Sequence, residues 1–269
     1  MIFSANFKLD RFVSVSSNLN KNLPLPVVLF VLSSSKEIRI KATLIRSIIE
    51  AKRIIDSKQF GKIINIKGTY GKSQMISFND KNHPSFWRTK RKISGGGVLL
   101  DQGIHMVDLI RYLGGEFEVM ASHVSNSMWN YDVEDNAYAL LKTKDNIIAF
   151  VNSSATQWKH RFYLEINFEL GNIELVGILS GTKSYGREKI IITKANPKND
   201  RGNPHQKTKF YRKDNSWTEE IKYFFEAIRN NSKIKQGNFN EAQKTLNLVF
   251  KIYFMDKNWR KKYQIRKPN

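Results

Sequence analysis

Asp101, His105 and Asp108 stand at i, i+4 and i+7 within Val98–Leu113, a spacing that sets all three on one stripe if that stretch is helical. An imidazole beside a carboxylate can take a hydroxyl proton near neutral pH while the carboxylate orients the hydroxyl or the imidazolium. The stripe opens directly after Gly95-Gly96-Gly97, where the amides and dipole of a helix N-terminus favour anions. Leu99, Val107 and Ile110 fall on the opposite face, too apolar for a fully exposed helix, so the stripe is expected to line a cleft. A solvated stripe on an amphipathic helix is the competing reading. Two ligands are too few for a metal, and His83, His123, His160 and His205 show no ligand spacing. A serine hydrolase is excluded by the lack of a nucleophile elbow. Trp158 and His160, with Lys159 between them, suit a sugar ring or a phosphate, although a packed Trp158 is the plainer expectation. Glu134-Asp135-Asn136 reads as turn chemistry at the start of a strand, or as part of a site wall.

These residues need elements to position them. Leu44, Ile48, Ala51 and Ile55 recur at helical spacing, with Thr43 as N-cap and Gly61 beyond the end. Ile63–Tyr70 alternates as a half-buried strand, and 71–94 is a polar loop carrying Phe86-Trp87-Arg88. Strands are expected at 118–128, 136–143, 146–154, 162–169, 173–178 and 189–193, with turn signals that suit an antiparallel meander. Two helices close the chain. The first opens on a capping box, Ser216-x-x-Glu219, with Ile221, Phe224, Phe225 and Ile228 on one face; the second carries Ala242, Leu246, Val249, Phe250 and Tyr253. The expected fold is α+β: an open-faced, mostly antiparallel sheet with helices packed on one face.

Composition narrows the classes. The chain has 269 residues, 41% hydrophobic and 12% aromatic, enough for a core. With no cysteine, disulfides and thiolate metal sites are excluded and a reducing cytoplasm is the expected location. The longest apolar stretch, Leu23–Leu32, is interrupted by Pro24 and Pro26 and is too short to span a bilayer. A net charge of +21 favours polyanions, but the cations are spread out, and the one dense block, 251–269, holds no nucleic-acid motif. A nucleic-acid partner is therefore not expected. All 15 glycines lie at or beyond Gly61, and neither Gly95-Gly96-Gly97 nor Gly114-Gly115 has dinucleotide-binding spacing.

The segment from Ser94 to Asp108, SGGGVLLDQGIHMVD, resembles the substrate-domain helix of the Gfo/Idh/MocA oxidoreductases. The likeness extends through 51–64 (AKRIIDSKQFGKII), Glu134-Asp135-Asn136-Ala137, 154–160, Tyr185-Gly186-Arg187-Glu188 and Ser216-Trp217-x-x-Glu219. It covers roughly residues 44–259 and is similar to members from surface-polysaccharide and nucleotide-sugar pathways. The resemblance implies an NAD- or NADP-dependent dehydrogenase of a sugar or nucleotide-sugar hydroxyl, built from an N-terminal Rossmann domain and a C-terminal sheet domain that holds substrate and pairs subunits. It implies His105 as general acid/base and Asp101 as the group binding the substrate hydroxyl; Asp108, Trp158 and His160 are the further substrate-binding candidates from the reading of the residues. Residues 1–43 are too few and too poor in glycine for the family's Rossmann domain, and its Glu-Lys-Pro segment is absent. The expectation is a substrate domain over 44–269 preceded by a degenerate remnant, with no complete Rossmann domain, no residue to bind NAD(P) and no hydride transfer by this chain alone. Two alternatives follow: a non-catalytic sugar-binding or self-associating module, and a basic nucleic-acid-binding protein.

Overall fold

A computed structural model describes residues 45–73, 86–178, 184–196, 198, 202, 204–232 and 238–268. The Thr43 cap, the Leu23–Leu32 stretch and His83 lie outside the described residues. Helix α1 (Arg46–Asp56) leads into strand β1 (Ile63–Ser73). A 3-10 turn (Phe86–Thr89) and the short helix α2 (Arg91–Ser94) precede a π-helical turn (Leu99–Gly103), which runs into helix α3 (Ile104–Gly114). Six strands follow: β2 (Phe117–Ser125), β3 (Asn136–Thr143), β4 (Ile148–Ser154), β5 (Thr156–Phe168), β6 (Gly171–Val176) and β7 (Lys189–Lys194). Strand β8 (Gln206–Phe210) and helices α4 (Ser216–Arg229), α5 (Phe239–Met255) and α6 (Lys257–Tyr263) end the described chain.

The strands form one eight-stranded sheet in the order β2-β3-β4-β1-β5-β6-β7-β8. Every pairing is antiparallel except β1 with β4, so the expected meander is interrupted by the first strand. β4 and β5 are separated by Ala155 alone and flank β1 on its two sides. One sheet face carries the core. Ile66, Leu141, Val151, Leu164, Ile166, Ile173 and Leu175 are buried in one cluster with Met106, Val107 and Ile110 of α3, Val249, Ile252 and Tyr253 of α5 and, over β6, Ile48 and Ala51 of α1. Helix α3 lies close to β1 because residue 68 is glycine: a Cβ there would run into Met106 and Ile110. Full burial of side chains of that size stabilises by roughly 1.5–3 kcal/mol each. The opposite face stays open, with Leu140 and Phe150 exposed beside the polar ladder Lys67–Glu165–Tyr163–Glu174. This is the expected α+β architecture.

Two expectations are corrected at the edges. The capping box of α4 does not form: the Ser216 amide and hydroxyl both donate to Asp214. The face Ile221, Phe224, Phe225 and Ile228 does not pack on the sheet but is exposed, Phe225 by 64%. An amphipathic period says which side chains share a face and nothing about what covers it.

Candidate functional site

Val98–Leu113 does not continue as one α-helix. It opens as the π turn Leu99–Gly103 and becomes α-helical only from Ile104. Ser153 on β4 donates its hydroxyl to the carbonyl of Val98, 3.1 Å away, one of the acceptors that an ordinary helix would use in this turn. The wider turn rotates Asp101 relative to the residues after it, and π turns are often found where a side chain must be re-aimed. Hence the single stripe breaks. Asp101 and His105 sit at the sheet end of the helix. Asp108 is instead buried against α5, where it accepts a hydrogen bond from the Thr245 hydroxyl and lies 3.9 Å from Arg111.

The glycines before the helix act differently from the expected anion site. The Glu134 carboxylate accepts from the amides of Gly97 (2.8 Å) and Leu99 (3.0 Å) and from the Tyr253 hydroxyl (2.5 Å). Its backbone lies so close that a Cβ on residue 97 would overlap the Glu134 carbonyl. Burial pushes the Glu134 carboxyl up, against the pull of these donors. The helix N-terminus is therefore occupied by a side chain of this chain. Asp135, also buried, accepts from the amides of Ser127, Met128 and Trp129 and shapes the neighbouring loop. The acidic pair is thus structural support around the site, more than turn chemistry.

Around Asp101 the chain gathers groups from four elements. Arg88, on the 3-10 turn, reaches both carboxylate oxygens from one guanidinium nitrogen at 3.1 and 3.2 Å, and Lys72 at the end of β1 lies 3.5 Å away. Burial pushes the Lys72 ammonium down, Arg88 adds to this, and Asp101 opposes it. Tyr70, two residues earlier on the same face of β1, packs its ring 6.2 Å from His105 and 5.3 Å from Tyr185. Burial raises both phenols, with Asp101 contributing to each, so they stay protonated and able to donate. Gln102 donates to the Tyr185 hydroxyl at 3.1 Å. His160 on β5 joins from the far side: its ring is 5.4 Å from Tyr185, and its Nδ1 is 2.9 Å from the Ser184 hydroxyl.

Of the residues singled out from the sequence, Asp101, His105 and His160 come together through Tyr70 and Tyr185, whereas Asp108 does not join them. Trp158 is not the packed residue expected: it is 67% exposed, edge-on to Trp129 at 6.5 Å, and Trp129 stacks on Tyr131, which lines a small cleft with Arg88, Gly97 and Asp101. Sequence reasoning missed Lys72, Tyr70 and Tyr185 as site members and left Arg88 in a loop. The alternation of β1 held a usable signal, since Gly68, Tyr70 and Lys72 must share the covered face.

Chemically, the cluster can exchange a proton at His105, hold a hydroxyl through Asp101 or the two phenols, and place cationic charge beside them. Among the described residues no cluster of His, Asp and Glu is placed to hold a metal, and no helix is long and apolar enough to cross a membrane. The Gly97 and Leu99 amides are taken by Glu134, and among the described residues no other glycine-rich turn leads from a strand into a helix.

Comparison with known proteins bears on the fold. Residues 48–174 match the family described as the GFO/IDH/MocA C-terminal domain. Levoglucosan dehydrogenase of Pseudarthrobacter phenanthrenivorans is 36% identical over 75 residues, which is 28% of this chain and 18% of that protein. Levoglucosan dehydrogenase solved with NADH and levoglucosan superposes with a TM-score of 0.62 at 20% identity, over 81% of this chain and 62% of the other. The WlbA dehydrogenase of Bordetella pertussis, solved with NADH and UDP-GlcNAcA, gives 0.60 at 18% identity, over 82% and 60%. The chain therefore spans about three fifths of the length of these solved structures. Over residues 48–174 the chain is thus similar to the GFO/IDH/MocA C-terminal domain, and its sheet and helices have the fold of these solved structures.

Proposed function

We propose that this chain is the substrate-holding part of an NAD(P)-dependent sugar or nucleotide-sugar dehydrogenase of the cytoplasm. The observation that carries the reading is the packing of His105 on Tyr70, which in turn meets Tyr185, four residues along from Asp101 and its Arg88. His105 takes the proton from a ring hydroxyl as that carbon is oxidised. Asp101, steadied by Arg88 and Lys72, accepts a hydrogen bond from the same or the neighbouring hydroxyl. Tyr70 and Tyr185 supply donors and apolar ring faces that suit a pyranose. Asp108, buried with Arg111, keeps the helix in place and does not touch substrate. NAD(P) is held by residues other than those described, and the open sheet face with Leu140 and Phe150 is the surface through which subunits pair.

The test is protection of His105 from diethyl pyrocarbonate, read by peptide mass spectrometry, in saturating levoglucosan and in saturating UDP-GlcNAcA. The reading expects at least one of them to slow modification of His105 while leaving exposed His123 unprotected. Equal rates with and without both sugars overturn it. Fluorescence titration with NADH is expected to show no saturable micromolar binding, and such binding overturns the expectation that this chain alone does not hold the cofactor.

A further inference from the structure

The rings around Asp101 continue past it. Residues 126–135, between β2 and β3, form a loop braced from inside. The Asp135 carboxylate accepts from the amides of Ser127, Met128 and Trp129, and the Asn126 side-chain amide donates to the carbonyls of Tyr131 and Val133. The Trp129 indole is pinned in turn by its Nε1, which donates to the Ala155 carbonyl at 2.8 Å. Trp129 stacks on Tyr131, and Tyr131 borders the same cleft as Trp87, Arg88 and Asp101. The Trp129 ring also meets Trp158 edge-on, at 6.5 Å and 74°.

An irregularity of β5 brings Trp158 there. Between the pairs Gly71–Arg161 and Ser73–Thr156, β1 advances two residues and β5 five, so the start of β5 bulges out of the ladder. Bulges re-aim side chains and cluster beside active sites. Trp158 takes the face of His160 and Phe162, while Lys159 and Arg161 take the open face with Tyr163. His160 packs against Tyr185, Tyr185 against Tyr70, and Tyr70 against His105. Trp158 is thus tied to the His105 site along β5 and, separately, to the Asp101 cleft through Trp129 and Tyr131. At 67% exposure, and propped by a fixed neighbour, it keeps an apolar face open to a ligand at little ordering cost.

What suits that face is a second flat ring, either the C–H face of a pyranose or a nucleobase. The stretch between the two ends decides. A nucleotide-sugar places two phosphates between its rings, and phosphates call for cations held ready for them. Among the described residues lining the cleft Arg88 is the one cation, and both it and Lys72 are bonded to Asp101. A second sugar ring, joined through a neutral glycosidic oxygen, asks for no such charge.

Resting on the sugar-site reading above, we infer that the substrate is a glycoside of at least two rings, and that Trp158, braced by Trp129, is the subsite for the second ring while the first seats at His105. The full chain is titrated calorimetrically with cellobiose, maltose, lactose and trehalose, each beside its component monosaccharides, and with UDP. At least one disaccharide is expected to bind about tenfold more tightly than either of its monosaccharides, the strength of one good ring contact. In Trp158→Ala that gain is lost, and the disaccharide binds no better than its monosaccharides. In Trp158→Phe, which keeps a smaller ring, part of the gain stays. A full gain retained in Trp158→Ala overturns the inference. So does equal affinity of every disaccharide and its monosaccharides in wild type, which leaves the sugar site standing with a single ring. UDP binding more tightly than any disaccharide, and more weakly in Trp158→Ala, overturns it as well, since the platform then reads a base. Binding of no sugar by folded chain overturns both this inference and the sugar-site reading.

Discussion

The helix that begins at Gly97 carries two clusters of carboxylate and cation, and they differ in what they leave unfinished. At its sheet end, Asp101 meets Arg88 and Lys72 in a half-open setting: Arg88 is 36% exposed and the Lys72 contact is single and long, 3.5 Å. Seven residues on, Asp108 and Arg111 form the closed counterpart. Arg111 is 2% exposed and donates to both Glu116 oxygens, to the Glu241 carbonyl and carboxylate, and to the Thr245 hydroxyl, which passes its own proton toward Asp108. Every donor of the guanidinium is used, and no direction remains for a ligand. Similar residue types therefore serve two ends: saturated and buried they fix α5 on α3, while around Asp101 they are left partly exposed.

The largest effect expected from this contrast is Arg111→Met. It strands Asp108 without its counter-ion and should cost about 3–5 kcal/mol in chemical denaturation. A loss below about 1 kcal/mol, the scale of an exposed pair, would erase the distinction between the clusters. Next comes Glu134→Ala. It leaves the Gly97 and Leu99 amides and the Tyr253 hydroxyl buried without an acceptor, which should cost about 2–4 kcal/mol. It should also loosen the π turn, read as faster amide exchange at Leu99–Gly103 than in the rest of α3. Uniform protection along both segments would show that Glu134 does not set the geometry of the open cluster.

What could be read from the sequence follows the same line between local pattern and long-range partner. The β3 boundaries, the burial of Leu99, Val107 and Ile110, and the inward face of α5 were legible because period and turn residues are local. Asp101 and His105 were singled out by their i, i+4 spacing and by the family likeness. The π turn was not, since its cause is a serine on β4 that lies 55 positions away from Val98. Glu134 looked like a turn residue for the same reason: its partners are Gly97, Leu99 and Tyr253, none of them near it in sequence. Strand β8 escaped notice because all five residues of Gln206–Phe210 are exposed and no alternation marks them. The apolar face of α4 was legible as a face, but its exposure was not, because only tertiary structure says what is covered.

The smallest expected effect is the sharpest test of the open cluster. Lys72→Met removes a cation that burial already disfavours and leaves Arg88 on Asp101, so at neutral pH the variant should lie within about 1 kcal/mol of wild type, on the stable side. The pH dependence fixes the sign independently. In the folded chain Lys72 gives up its proton at a lower pH than its ordinary 10.5, so between those two values the unfolded chain holds more protons than the folded one. Wild type must therefore gain stability on Lys72→Met as pH rises through that interval, because the cost of the buried charge is relieved there in the native state. Denaturation curves of the two proteins at stepped alkaline pH read this directly. Curves that diverge the other way, with wild type losing ground as pH rises, would mean that Lys72 is stabilised as a cation. Its cluster would then be a closed one like that of Arg111, not a cluster held ready for a ligand.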